Sequence, residues 1–198
     1  MKTLKDLGVK VYSGKVVQRL IADPLMGDKV VDPQRKTVVS KTVDEGFIDD
    51  ENVVLNDYKA LPDDEKLTKE GDIIIKLTPP YKAAIIDKEH EGMFVSSFCS
   101  IIRNVDTDQI TKEYLVAYLN SDVCRRKFEV ATAGSATIAM LTNTKISDLA
   151  IPFVDKEKQN AVSTHFFKMI ANKKILTRII ELEEEKLASM IARLEDER

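Results

Sequence analysis

The chain is poor in the residues on which metal and redox chemistry depend. Of its 198 residues, two are cysteine and two are histidine. Cys99 and Cys124 lie far apart with no CxxC pattern, so neither a disulfide framework nor a zinc site is expected. Both read as buried or half-buried thiols. His90, between Glu89 and Glu91, and His165, in a helical stretch, lack partners at ligand or triad spacing. A solvated His90 and a helix-surface His165 are expected. No Gly-rich phosphate loop, methyltransferase-type motif or nuclease carboxylate cluster stands out from ordinary surface acids. No catalytic residue, metal or cofactor is therefore assigned, and the chain is not expected to be an enzyme. No apolar run approaches the roughly 20 residues that span a bilayer. Met1 to Lys10 is charged and lacks the apolar core of a signal peptide, so a cytoplasmic location is expected. A period of 20–50 residues is also missing, which excludes a solenoid.

One further lack is local. From Lys158 to Arg198 there is no glycine and no proline, and the segment reads as one amphipathic helix. Val162, Phe166, Met169, Leu176, Ile180, Leu187, Met190 and Leu194 recur at alternating steps of four and three, interrupted only by Lys173 and Glu183. That spacing is a heptad seam, by which a helix lies against another long helix. At 1.5 Å per residue the helix would be about 60 Å long, against about 30–40 Å for the domain the remaining residues can form. Much of it should project and need a partner.

Hydrophobic content of 43% and charged content of 32% suit a soluble globular protein, and the length allows one domain plus an extension or two small domains. The net charge of −3 is unevenly placed. Residues 1–42 hold nine basic and four acidic side chains, whereas residues 43–72 hold three basic and eleven acidic. A basic face is thus compatible with a slightly negative total.

The rest of the chain alternates between strand and helix signals. Thr3 to Gly8 reads as a short helical or extended entry, running at Val9 to Ser13 into a strand with a turn at Gly14. Lys29 to Val43 reads as a strand pair, with Val30 and Val31 on one side and Thr37 to Val39 on the other. The acidic segment from Asp44 to Glu70 should be a surface stretch crossed by one short strand near Val53 to Leu55. Ile73 to Leu77 is too apolar for an exposed edge strand. Thr78-Pro79-Pro80-Tyr81 then stops it, Lys82 to Ile86 resumes, and Met93 to Arg103 is a third apolar run. Three strands in succession predict a meander in a mostly antiparallel sheet or barrel. Thr111 is placed to cap a helix that Asn120-Ser121 interrupts and Asp122 restarts. Leu149 to Pro152 is a brief strand, and Asp155 caps the long helix.

This order of elements resembles the DNA-specificity (S) subunit of type I restriction–modification systems, namely one target-recognition domain and one spacer helix. The residues that carry the resemblance begin with Leu4-Lys5-Asp6-Leu7-Gly8, Ser13-Gly14 and Gly71-Asp72-Ile73-Ile74-Ile75. Next come Val95-Ser96-Ser97, Tyr114-Leu115 through Leu119-Asn120-Ser121, and Gly134-Ser135-Ala136. The set closes with Ile146 to Pro152 leading into Glu157-Lys158-Gln159. Together they cover nearly the whole chain. Two departures stand out. A full S subunit has two recognition domains and two long helices, so this chain looks like a half-subunit. Lys76 to Tyr81 also replaces the arginine-threonine-glycine sequence common after that strand.

The resemblance implies sequence-specific binding of double-stranded DNA, with phosphates held by basic side chains and bases read from loops. Candidates are Lys76, Tyr81 and Lys82 around the double proline, Arg35, Lys36 and Lys41 in the basic part, and Ser135 and Thr137 in the small-residue loop. Tyr81 is as well suited to covering the sheet. Arg125-Arg126-Lys127 is the densest basic cluster, but on a helix it fans over nearly 200° and reads as a plain exposed face. The expected whole is an α+β recognition domain at residues 1–154 followed by a spacer and dimerisation helix at 155–198. Two copies would pair antiparallel through the seam residues. Modification (methyltransferase) and restriction subunits would supply the chemistry. The competing expectation is a coiled-coil, dimeric protein-interaction scaffold without DNA specificity, favoured if the acidic segment shares the DNA-facing surface.

Overall fold

Ile73, Ile74 and Ile75 are completely buried, which three successive strand residues achieve only with cover on both faces. In the computed structural model, which describes residues 1–61, 63–105, 108–133 and 140–196, they open β5 (Ile73–Lys76). β5 is an inner strand of a four-stranded antiparallel sheet. The order is β2 (Lys10–Ser13), β8 (Cys99–Arg103), β5 and β6 (Ala83–Ile85). A second sheet has the order β4 (Val54–Tyr58), β3 (Asp32–Val38) and β7 (Phe94–Val95), with β3 antiparallel to β4 and parallel to β7. Ile74, Ala84 and Ile101 of the first sheet pack with Val38 and Val95 of the second. Tyr58 and Phe94 stack edge-on, 5.2 Å between ring centroids. The third sheet joins β1 (Lys2–Thr3) to β9 (Ala150–Ile151).

Four α-helices occur among the described residues. α1 (Lys112–Leu119) packs on β6, and α3 (Asn143–Ser147) packs on β2. α2 (Asp122–Thr132) follows α1 after the break at Asn120-Ser121. α4 (Lys156–Asp196) is 41 residues long. The expected caps form. Thr111 Oγ1 accepts the Tyr114 N–H at 3.1 Å, and Asp155 Oδ1 accepts the Lys158 N–H at 2.9 Å. Contacts divide the chain into two compact units, Met1–Ser163 and Thr164–Arg198, so the first unit includes the opening turns of α4.

The expected α+β class, mostly antiparallel, is what forms, but three details differ. No barrel closes among the described residues; the sheets are open. The three strands do not meander, because β8 returns to the far side of β5. That puts the three isoleucines in the doubly covered position, which Ala83 and Ala84 of β6 would fill with less apolar surface. Nor is Lys29 to Val43 a strand pair. Val30 and Val31 stay exposed, at 39% and 50%. The chain bulges between Asp32 and Arg35 rather than turning back, and β3 finds its partner in the acidic segment.

Candidate nucleic-acid interface

The β5–β6 hairpin brings Lys76 and Lys82 together, the Lys76 N–H donating to the Lys82 carbonyl at 2.9 Å. Both side chains are half-buried, and the Lys82 ammonium is bonded to the Asp44 carboxylate. Tyr81 is withdrawn from the surface at 1% exposure. Its hydroxyl lies 3.0 Å from Thr132 Oγ1, and its ring sits edge-on to Phe128 at 5.6 Å. Of its two sequence roles, covering the sheet is the one it fills. It anchors the end of α2, which leads toward Ser135 and Thr137; those two residues lie outside the described residues.

Arg35 is likewise occupied. Nε and Nη2 donate to the Asp32 carboxylate at 2.8 and 3.1 Å, and Nη1 donates to the Gly92 carbonyl at 2.8 Å. Such a bidentate pair holds the β3 bulge and leaves little guanidinium for phosphate. Lys36, in the middle of β3, and Lys41, beyond its carboxyl end, are exposed. Among the described residues they are the exposed members of the candidate set.

Much of the acidic segment is neutralised by pairing. Glu45 meets Arg125 at 2.5 Å, Asp63 meets Lys15 at 2.9 Å, and Asp64 meets Lys69 at 2.6 Å. Asp72, at the turn before β5, is buried. It takes Arg103 Nε at 2.8 Å and Nη2 at 2.5 Å, while the same Nη2 donates to the Leu67 carbonyl. The Arg125-Arg126-Lys127 cluster is not the plain exposed face expected of it, because two of its three side chains are half-buried against partners. Arg125 goes to Glu45, Lys127 donates to the Tyr118 hydroxyl at 2.7 Å, and Arg126 stays exposed.

His90 corrects an expectation: it is not solvated but 5% exposed. Nδ1 lies 2.6 Å from Asp87 and Nε2 lies 3.0 Å from Asp50. Burial disfavours its charged form, but the two carboxylates outweigh that and raise its pKa. Asp50 and Asp87, from two separate turns, supply a partner for each ring nitrogen and so make its burial tolerable. Cys99 and Cys124 are buried as expected, and burial pushes both thiols up to about 12. His165 is exposed.

Three amide side chains, Asn120 and Gln159 buried and Asn143 half-buried, were not singled out as structural locks by the sequence. Asn120 caps the β6 edge, accepting the Ala83 N–H at 3.0 Å and donating to its carbonyl at 2.8 Å. Asn143 links β2 to β8 through Ser13 and Ser100, at 2.8 and 2.7 Å. Gln159 ties the start of α4 to the chain before α1. A polar residue after an apolar helical run was the available signal for Asn120; Gln159, among Lys, Glu and Asn, and Asn143 offered none. On α4, Val162, Met169, Leu176, Ile180, Leu187, Met190 and Leu194 are 47–67% exposed, whereas Phe166 is buried.

No family model matches the sequence, and no curated protein matches it. Solved structures do. A chain from a type I R-M system assembly aligns with TM-score 0.61 and 15% identity, covering 89% of this chain and 46% of that one. The HsdS subunit from Thermoanaerobacter tengcongensis aligns at 0.59 and 16%, covering 87% and 44%. The type I restriction–modification S subunit from M. genitalium aligns at 0.58 and 14%, covering 93% and 42%. The fold is that of a type I S subunit. The chain spans less than half the length of each of these solved chains. No helix among the described residues is long and apolar enough to cross a membrane.

Proposed function

We propose that this chain is the DNA-specificity half-subunit of a type I restriction–modification system, which selects a duplex site for partner modification and restriction subunits. The observation that carries this reading is the match of nearly the whole chain to under half of each solved S subunit. A second copy, paired antiparallel along α4, would restore two recognition domains. Two-fold pairing makes the target a bipartite palindrome whose spacing is set by the helices. Lys36 and Lys41 serve as phosphate contacts, and Lys76 and Lys82 flank a hairpin close to the same role. Pairing of Glu45, Asp63, Asp64 and Asp72 with basic side chains removes much of the repulsion the acidic segment would exert. Methyl transfer and cleavage belong to the partner subunits.

The test is selection from randomised duplexes with the full chain, followed by a salt titration of the winning sequence. A bipartite palindrome should emerge, with affinity falling steeply as salt rises because counterions are released. Failure to enrich any sequence at low salt would favour the scaffold reading.

A further inference from the structure

Parallel strands β3 and β7 end side by side at Val38 and Val95, and the segments that follow them enclose a cleft of about 250 Å³. Ligands collect at the carboxyl ends of parallel strands because the loops there diverge and leave a crevice. Here the walls are Gln18, Ser40, Lys41, Ser96, Ser97 and Phe98, over an apolar floor from Val17 and Val39. Backbone bonds fix the rim. Ser96 N–H donates to Val38, Ser97 N–H to Lys15 and Cys99 N–H to Ser96, at 2.9, 2.8 and 3.0 Å. Two features are unexplained by packing. Phe98 stands 50% exposed between half-buried Ser97 and buried Cys99, and Ser96, only 2% exposed, has no partner for its hydroxyl beyond the thiol of Cys99.

We propose that this cleft is a nucleobase pocket that receives one base displaced from the duplex stack. The inference rests on the DNA-binding reading above and adds a site to it. Duplex DNA is convex, and its grooves are read by protruding elements; a concave cleft can admit only what projects from the helix, a phosphate or an unstacked base. A phosphate would want convergent N–H donors and positive charge, whereas this floor is apolar and its rim aromatic. The volume falls below that of ordinary small-molecule sites and suits a single ring system. Phe98 supplies the stacking face. Gln18 and the hydroxyls of Ser40, Ser96 and Ser97 offer donors and acceptors to the base edge. Lys41 at the rim is placed for the neighbouring phosphate. Deforming the duplex in this way makes the target's weakest-stacked step part of what is recognised.

The experiment uses the full chain and its selected duplex, with 2-aminopurine placed at each position in turn. One position in each half-site should brighten several-fold on binding. Phe98→Ala should abolish that signal and weaken binding about tenfold, the effect of removing one base–aromatic stack. Phe98→Tyr should retain both, and because residue 98 is half-exposed both variants should melt with the wild type. Tight binding with no brightened position, or with an unaffected Phe98→Ala, overturns the pocket while leaving the DNA reading intact. A chain that binds no duplex at all overturns both.

Discussion

Gln159 accepts the backbone N–H of Thr111 on its side-chain oxygen at 2.9 Å and donates from its nitrogen to the carbonyls of Gln109 and Val154, at 3.0 and 2.9 Å. One 1%-exposed amide thus satisfies three backbone groups around the start of α4. Gln159→Leu removes all three of these part-buried bonds, which should cost about 3 kcal/mol and lower the melting temperature by about 10 °C. Gln159→Glu keeps the acceptor but loses both donations and should also be destabilised. A Leu variant melting with the wild type would show that the network contributes nothing.

Gly14 is needed for space. A Cβ there would stand 1.9 Å from the Ser96 carbonyl oxygen, a backbone atom that cannot swing away. Gly14→Ala should therefore destabilise by about 3 kcal/mol in chemical denaturation. Gly27, with φ of +75° and open space around its Cβ position, is the contrast. Gly27→Ala should cost only about 1 kcal/mol, from backbone conformation alone.

Asp72 and Arg103 form a buried pair, with side chains 3% and 12% exposed. Arg103→Met strands a buried carboxylate and should cost about 3–5 kcal/mol. Combining it with Asp72→Asn should recover part of that loss, because the uncompensated charge is gone. Additive losses in the double variant would argue against coupling between the two.

His90 should make stability pH-dependent in a defined direction. Its folded pKa is raised, so the folded state binds the proton more tightly than the unfolded chain does. The stabilisation is complete below the unfolded value of about 6.5 and is lost as pH rises through the higher folded value. Urea titrations between pH 5 and 8.5 should show wild-type stability declining over that window. The decline should be smaller in His90→Gln; parallel pH profiles would assign it to other groups.

The exposed seam of α4 should drive self-association. Leu176→Asp with Ile180→Asp places two charges in the middle of it, where both residues are 60% exposed. Wild type should scatter light as a dimer at tens of micromolar and the double variant as a monomer. A monomeric wild type with no partner added would end the homodimer proposal. If the helices pair antiparallel, Lys173 and Glu183 face one another and fix register at some cost in stability. Replacing both with Leu should loosen that register, as read by cysteine cross-linking along the seam.

Local physics made much of this protein legible in its sequence. The uninterrupted period of α4, the caps at Thr111 and Asp155, and the apolar β5 each depend on residues close in the chain, and each formed as expected. The α+β class and the order of elements followed from them. What the tertiary structure alone decided is which surfaces meet. Pairing across 40 residues drew His90 between Asp50 and Asp87. Arg35 and Lys82 were paired with acids, and Tyr81 was turned inward. The return of β8 to the far side of β5, and with it the cleft beside Phe98, came from the need to cover three isoleucines on both faces. Periodicity records which face of an element is apolar, but a side chain's charge partner and exposure depend on neighbours brought together only by folding.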